Sequence, residues 1–185
     1  MNVDTELVIE ETMEWIEKVV IGQNFCPFAG REFRANTIRY EVVPGATVTS
    51  CVEVFSRTCD SMNLNPSIET ALIILPDSFA DFHEYLALTG VAEKTIKNRK
   101  LEGIFQVASF HPLYLFAGSS EKDAANYTNR SPYPMLHILR EQSITLALKN
   151  FKNPENIPVR NIEFTRKAGL EVMQKLLASC FRPKK

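Results

Sequence analysis

Glu69-Thr70-Ala71-Leu72-Ile73-Ile74-Leu75-Pro76-Asp77 is a short, nearly continuous apolar run closed by a proline. Its length suits a strand better than a helix, and its lack of alternation suits one covered on both faces, as in an α/β sheet. Upstream, residues 37–43 form a β-branched strand closed by Pro44-Gly45, and residues 48–62 carry a helical apolar period that Asn63-Leu64-Asn65-Pro66 ends. Downstream, Ser78 can cap a helix through Phe79, Phe82, Tyr85 and Leu86 to about Asn98, and Gly103 opens a third strand over residues 104–110. Strand, helix, strand, helix, strand is the pattern of crossovers around a parallel sheet. The expectation is an α/β fold: a small, mostly parallel sheet of three to four strands flanked by helices, its first two strands parallel. Residues 113–116 would supply a fourth, edge strand, because Pro112 interrupts continuous pairing.

Outside this unit the chain reads as helical. Leu7, Val8, Met13, Trp15, Ile16, Val19 and Val20 recur at helical spacing before Gly22, and Asn24-Phe25-Cys26-Pro27-Phe28-Ala29-Gly30 then breaks the period as a loop with two aromatic anchors. Ser120-Glu121-Lys122-Asp123 reads as a capping box opening a short helical turn. Residues 134–151 read as a longer helix, and Asn161 can cap a final helix to about Phe181, with Gly169 allowing close approach to a neighbour. With 185 residues and no repeat or linker, a single domain spanning 1–185 is expected.

Charge and composition exclude several classes. Twenty-one basic residues balance twenty-two acidic ones, so no overall field favours nucleic acid or an anionic membrane. The Arg182, Lys184, Lys185 tail reads as a solvated end. An acidic N-terminus without an apolar stretch is unlike a secretory signal, so a cytoplasmic protein is expected. Cys51 and Cys59, on one helix, would lie about 12 Å apart and could not bridge, and reduced thiols are the simplest account of all four cysteines. Glycine-rich phosphate loops and the common hydrolase and zinc motifs are absent.

The candidate chemistry gathers in residues 111–141, with Cys26. His111 falls just past the carboxyl end of the third strand, the edge where open α/β sheets bind ligands. Asn126, Asn129, Arg130, Ser131 and Tyr133 form a dense polar stretch stiffened by Pro132 and Pro134. If a helix begins at Pro134, the free amides of Met135 and Leu136 favour an anion, and His137, Arg140 and Glu141 share one flank. His137 would then be neutral and able to act as a base, and Glu141 could orient its ring or pair with Arg140. Cys26 is a nucleophile if a histidine or arginine lies beside it, and otherwise a packing residue.

These blocks resemble the DUF1415 family, whose name records an unknown function. The resemblance rests on Trp15 and Asn24-Phe25-Cys26-Pro27-Phe28-Ala29, on Gly103-Ile104-Phe105-Gln106-Val107-Ala108-Ser109-Phe110-His111-Pro112, and on Asn126 with the run Asn129 to Glu141. The family pattern often has a second acid after the position of Asp123, where this chain has Ala124. Membership supplies no catalytic residues to carry over.

The leading expectation is an enzyme acting on a small anionic metabolite, a carboxylate or phosphate. Arg130 and Arg140 would hold it, His111 and His137 would handle protons, and Cys26 would attack or line the pocket. A runner-up is a metal site of His111, His137 and Glu141. The rival from another class is a noncatalytic small-ligand-binding or interaction module, in which the polar block is a hydrogen-bond network holding the fold together. Cofactor and oligomeric state are not legible in the sequence.

Overall fold

The structure is a computed structural model and describes residues 3–149 and 151–182. Helix α1 (Thr5–Trp15) starts at Asp4, whose carboxylate accepts the Leu7 N–H, and runs without a break into a π-helical segment, Ile16–Ile21. Gly22 follows that segment, and only glycine fits there, because a Cβ would meet the Lys18 carbonyl oxygen at 2.3 Å. A short helix α2 (Ala29–Ala35) leads into β1 (Ile38–Val42), α3 (Val48–Leu64), β2 (Thr70–Ile74), α4 (Phe82–Asn98) and β3 (Phe105–Phe110). Helix α2 is not expected from the sequence, which reads residues 24–30 as a loop; the other bounds lie within a few residues of those read there. The cap of α4 is Asp81, which accepts from His83 and Glu84 N–H, in place of Ser78.

The sheet order is β1-β2-β4-β3, where β4 is Met135–Arg140. Strands β1 and β2 pair in parallel, and β4 runs antiparallel to both of its neighbours. The first three strands therefore point the same way, the first two as expected, yet the sheet is mixed rather than mostly parallel because β4 is inserted between β2 and β3. This corrects the reading of residues 134–151 as one helix. Met135, Leu136, Ile138 and Leu139 fit a helical stripe and a doubly covered strand equally well, and the open slot between β2 and β3 selects the strand. The helix α5 (Glu141–Lys149) begins only where β4 ends. Residues 113–116 form no strand.

Beyond α5, helix α6 (Asn156–Ala168) stops at Gly169, whose φ of +90° a side chain rarely adopts, and α7 (Leu170–Ala178) follows. Asn161 is therefore inside α6 rather than its cap, and its side-chain amide donates to Phe25 O at 2.8 Å. Asp123 caps the short 3-10 turn Ala124–Thr128, in place of the expected Ser120 box.

Alternation of side chains gives the sheet two buried faces. Ala71, Ile73, Phe105, Leu136 and Ile138 pack under α3 and α4 against Phe55, Met62, Tyr85 and Leu88. Leu72, Ile74 and Met135 pack on the other face against Val8, Trp15, Ile16, Val19 and Met173. All five residues of β2 are buried, as its unalternating sequence requires. Among the described residues no helix is long and apolar enough to cross a membrane.

One core contact ties the two layers of chemistry and fold together. The Tyr85 hydroxyl accepts the Phe110 N–H at 3.0 Å and donates to Met135 O at 2.8 Å, so it closes the β3–β4 ladder at its end. Burial raises its pKa and keeps it protonated for that bond. Tyr85→Phe should cost about 2–3 kcal/mol, because both backbone groups lose their partner in a dry site. Equal urea midpoints for the two proteins would remove the bridge from the account.

Candidate functional site

Loops at the carboxyl ends of β1, β2 and β3 gather where ligands usually bind in an α/β sheet, and His111 arrives there as expected. It is fully buried. Its Nδ1 accepts the Leu113 N–H at 3.0 Å, which places the proton on Nε2, and Nε2 donates to Phe79 O at 2.9 Å. Both ring nitrogens are thereby used by backbone. The ring packs on Phe82 and Tyr85, with centroids 5.3 and 4.9 Å away. Burial holds its pKa below the usual histidine value, outweighing the Phe79 carbonyl and Asp81. Phe79 has a φ of +56°, a strained conformation for a bulky side chain, and His111 clamps it.

The polar stretch behind His111 is engaged in the same way. Asn126 is fully buried; its Oδ1 accepts from Phe116 N–H at 3.0 Å and Ser119 Oγ at 2.8 Å, while its amide donates to Ser120 O at 2.8 Å. Asn129 donates to Ser109 O, and its own carbonyl accepts the His111 N–H. The Arg130 guanidinium donates to Tyr114 O and Glu121 O, both at 3.2 Å, and lies 4.6 Å over the Tyr127 ring. Its carbonyl accepts the Trp15 indole N–H at 3.0 Å. Ser131 donates to Tyr133 O, and the Tyr133 hydroxyl donates to buried Glu11. Burial first, then Glu11, raises the Tyr133 pKa.

Arg140 and Glu141 go elsewhere. Placed on β4, Arg140 turns to the α3 face, where it donates to Met62 O, Asn65 O and Ile68 O at the C-terminus of α3 and lies over Phe105. Glu141 accepts the Gly103 N–H at 3.2 Å. The expected anion site beside a helix starting at Pro134 is corrected accordingly: the segment is strand, so no helix dipole or free first-turn amides exist there. Arg182, expected as a solvated end, pairs with Glu10 at 3.0 Å, and Lys184 and Lys185 lie outside the described residues.

His137 sits on the opposite face of the sheet from His111. It stands in one row with Tyr40, Leu72 and Ala108, whose register pairs all coincide. Thr70 Oγ1 donates to Ile138 O at 2.6 Å and so must accept from His137 Nε2, also at 2.6 Å. The remaining nitrogen, Nδ1, has no hydrogen-bond partner among the described residues, and the side chain is only half-buried. Burial pushes the His137 pKa down to about 4, so the ring is neutral at pH 7. Burial also pushes Tyr40 up to about 12, so its hydroxyl remains a donor. Cys26 is half-buried in the loop after the π-helix, and its thiol makes no hydrogen bond among the described residues. Phe25 and Phe28 anchor that loop, as expected, against Phe164 and Phe151.

A family model described as a protein of unknown function, DUF1415, matches residues 7–175. The chain belongs to the DUF1415 family. No curated protein and no solved structure matches it. In this DUF1415 chain the sequence-named residues divide into three groups. His111, Asn126, Asn129, Arg130, Ser131 and Tyr133 form one connected network; Arg140 ties β4 to the connection between α3 and β2, and Glu141 to the turn before β3; His137 and Cys26 belong to the far side. The metal set of His111, His137 and Glu141 does not converge, and no cluster of three or more His, Cys, Asp or Glu side chains is found among the described residues. Sequence reading missed Thr70, Tyr85, Trp15 and Glu11. Glu11 carried a signal, since it falls on the apolar stripe of α1, and Thr70 carried one as the polar residue of an otherwise apolar strand.

Proposed function

We propose that this DUF1415 protein is a noncatalytic small-ligand-binding module whose ligand approaches the sheet face bearing His137. The observation that carries the reading is the unpartnered Nδ1 of a neutral, half-buried imidazole whose other nitrogen is fixed by Thr70. Such a group accepts a hydrogen bond from a ligand N–H or O–H, and Tyr40 in the same row offers a donor. The acid–base enzyme expected from the sequence draws less support. An imidazole with a pKa near 4 is poorly matched to proton transfer at neutral pH, and Arg130 and Arg140 already serve backbone carbonyls.

A thermal-shift screen of small hydrogen-bond donors tests this. A compound at about 100 times its Kd should add about 2.7 kcal/mol to the stability of the wild type. It should add much less to His137→Ala, whereas Arg130→Ala, though less stable, should keep the increment. A compound that stabilises wild type and His137→Ala equally would overturn the reading, as would a screen in which none stabilises the wild type.

A further inference from the structure

The sheet has two edges, and the sequence treats them differently. Edge strand β1 carries Arg39 and Glu41, charged side chains of the kind that block unwanted strand pairing. Edge strand β3, Phe-Gln-Val-Ala-Ser-Phe, carries none. The Glu141 N–H donates to Ile104 O at 3.0 Å, and that bond fixes the alternation of the antiparallel ladder. Gln106 and Ala108 bond towards β4, so the backbone groups of Phe105, Val107 and Ser109 point outwards. Two of these are already used: Phe105 N–H by Leu101 O and Ser109 O by the Asn129 amide. Phe105 O, both groups of Val107 and the Ser109 N–H have no partner among the described residues. They form a short window, closed at both ends.

A groove of about 220 Å³ runs beside this window on the α4 side. Ile96, Phe105 and Val107 supply its apolar side chains, and Glu93, Glu102 and Glu141 its charges. None of the three carboxylates makes an ion pair among the described residues. We propose that the β3 edge and this groove bind an extended basic segment of a partner protein, added as a short strand beside β3. Side chains of an added strand alternate between faces, so a Lys or Arg at every second position would meet the glutamates while backbone pairing supplies the register. Charge decides against a second copy of this chain, because pairing β3 with itself would bring two sets of the same three carboxylates together. The surface lies on the other face of the sheet from His137 and does not depend on the reading given there.

The probe is a blocked hexapeptide alternating lysine and valine, titrated into the full chain while the Val107 and Ser109 amide resonances are followed. Those resonances should shift, and the peptide with glutamate in place of lysine should bind at least about tenfold more weakly. Val107→Pro deletes a donor on the open side without touching the β4 ladder and should abolish binding. The double variant Glu93→Gln, Glu102→Gln, which leaves the backbone alone, should weaken binding several-fold and flatten its salt dependence. The proposal fails if the lysine peptide does not bind, if both peptides bind equally, or if the glutamine variant binds as tightly as wild type. It also fails if sedimentation shows a dimer that Val107→Pro dissolves, which would assign the edge to a second copy.

Discussion

Asn126→Ala should be the most damaging single change in the polar block, lowering stability by about 3–5 kcal/mol. The side chain is fully buried and makes three hydrogen bonds, two accepted and one donated, that fold residues 116–120 back onto the 3-10 turn. Alanine leaves the Phe116 N–H and the Ser119 hydroxyl without partners, takes from the Ser120 carbonyl one of its two donors, the Asp123 N–H remaining, and opens a small cavity as well. In urea the midpoint should fall while the slope stays constant, and the melting temperature should drop by about 6–15 °C. Asn126→Asp retains both accepted bonds but buries a charge and deletes the donor, so it should be damaging too. A loss below about 1 kcal/mol in the alanine variant would show that the network is not what holds this corner.

Acid should weaken the protein over a window set by His137. Its ordinary pKa of about 6.5 applies in the unfolded chain, and in the fold burial brings it down to about 4. Between those values the unfolded chain takes up a proton that the native ring refuses, so protons favour unfolding. The stability is fully present above about pH 6.5 and is lost as pH falls towards 4. At about 1.4 kcal/mol per unit the whole shift amounts to about 3–4 kcal/mol, and about 2–3 kcal/mol is expected because the ring is not wholly enclosed. His111, its pKa also lowered by burial, acts in the same direction. Asp123 belongs to a lower window: the Arg166 guanidinium, then the Ala125 N–H, hold it at about 2, so its contribution is lost only as pH falls below the usual carboxylate range. Urea melts at half-unit pH steps should show the slope, and His137→Gln should flatten most of it. An unchanged slope in that variant would mean that another group titrates there.

The same chemistry shows how far residues 111–141 were readable. Their polar density marked a connected cluster, and the structure connects them. Residue type alone gave no means of telling an anion clamp from a backbone brace, because a guanidinium that binds phosphate and one that binds carbonyls look identical in sequence. Cys26 is grouped with them conditionally, as a nucleophile if a histidine or arginine lies beside it. Instead the loop bearing Cys26 leaves the π-helix on the face opposite α4.

What the sequence determined by itself were the features written in local pattern and turn chemistry. The β-branched and continuous apolar runs gave β1, β2 and β3 and their common direction, the apolar periods gave α1, α3 and α4, and Gly22 marked the end of the first helical segment. Tertiary structure alone decided the fate of Pro134 to Arg140. An apolar heptad without strong β-branching satisfies helix and strand equally, and only the long-range pairing of Leu136 with Ile73 and of His137 with Ala108 breaks the tie. That choice then sets the site, because alternation along a strand sends His137 and Arg140 to opposite faces, whereas three positions along a helix would have kept them together.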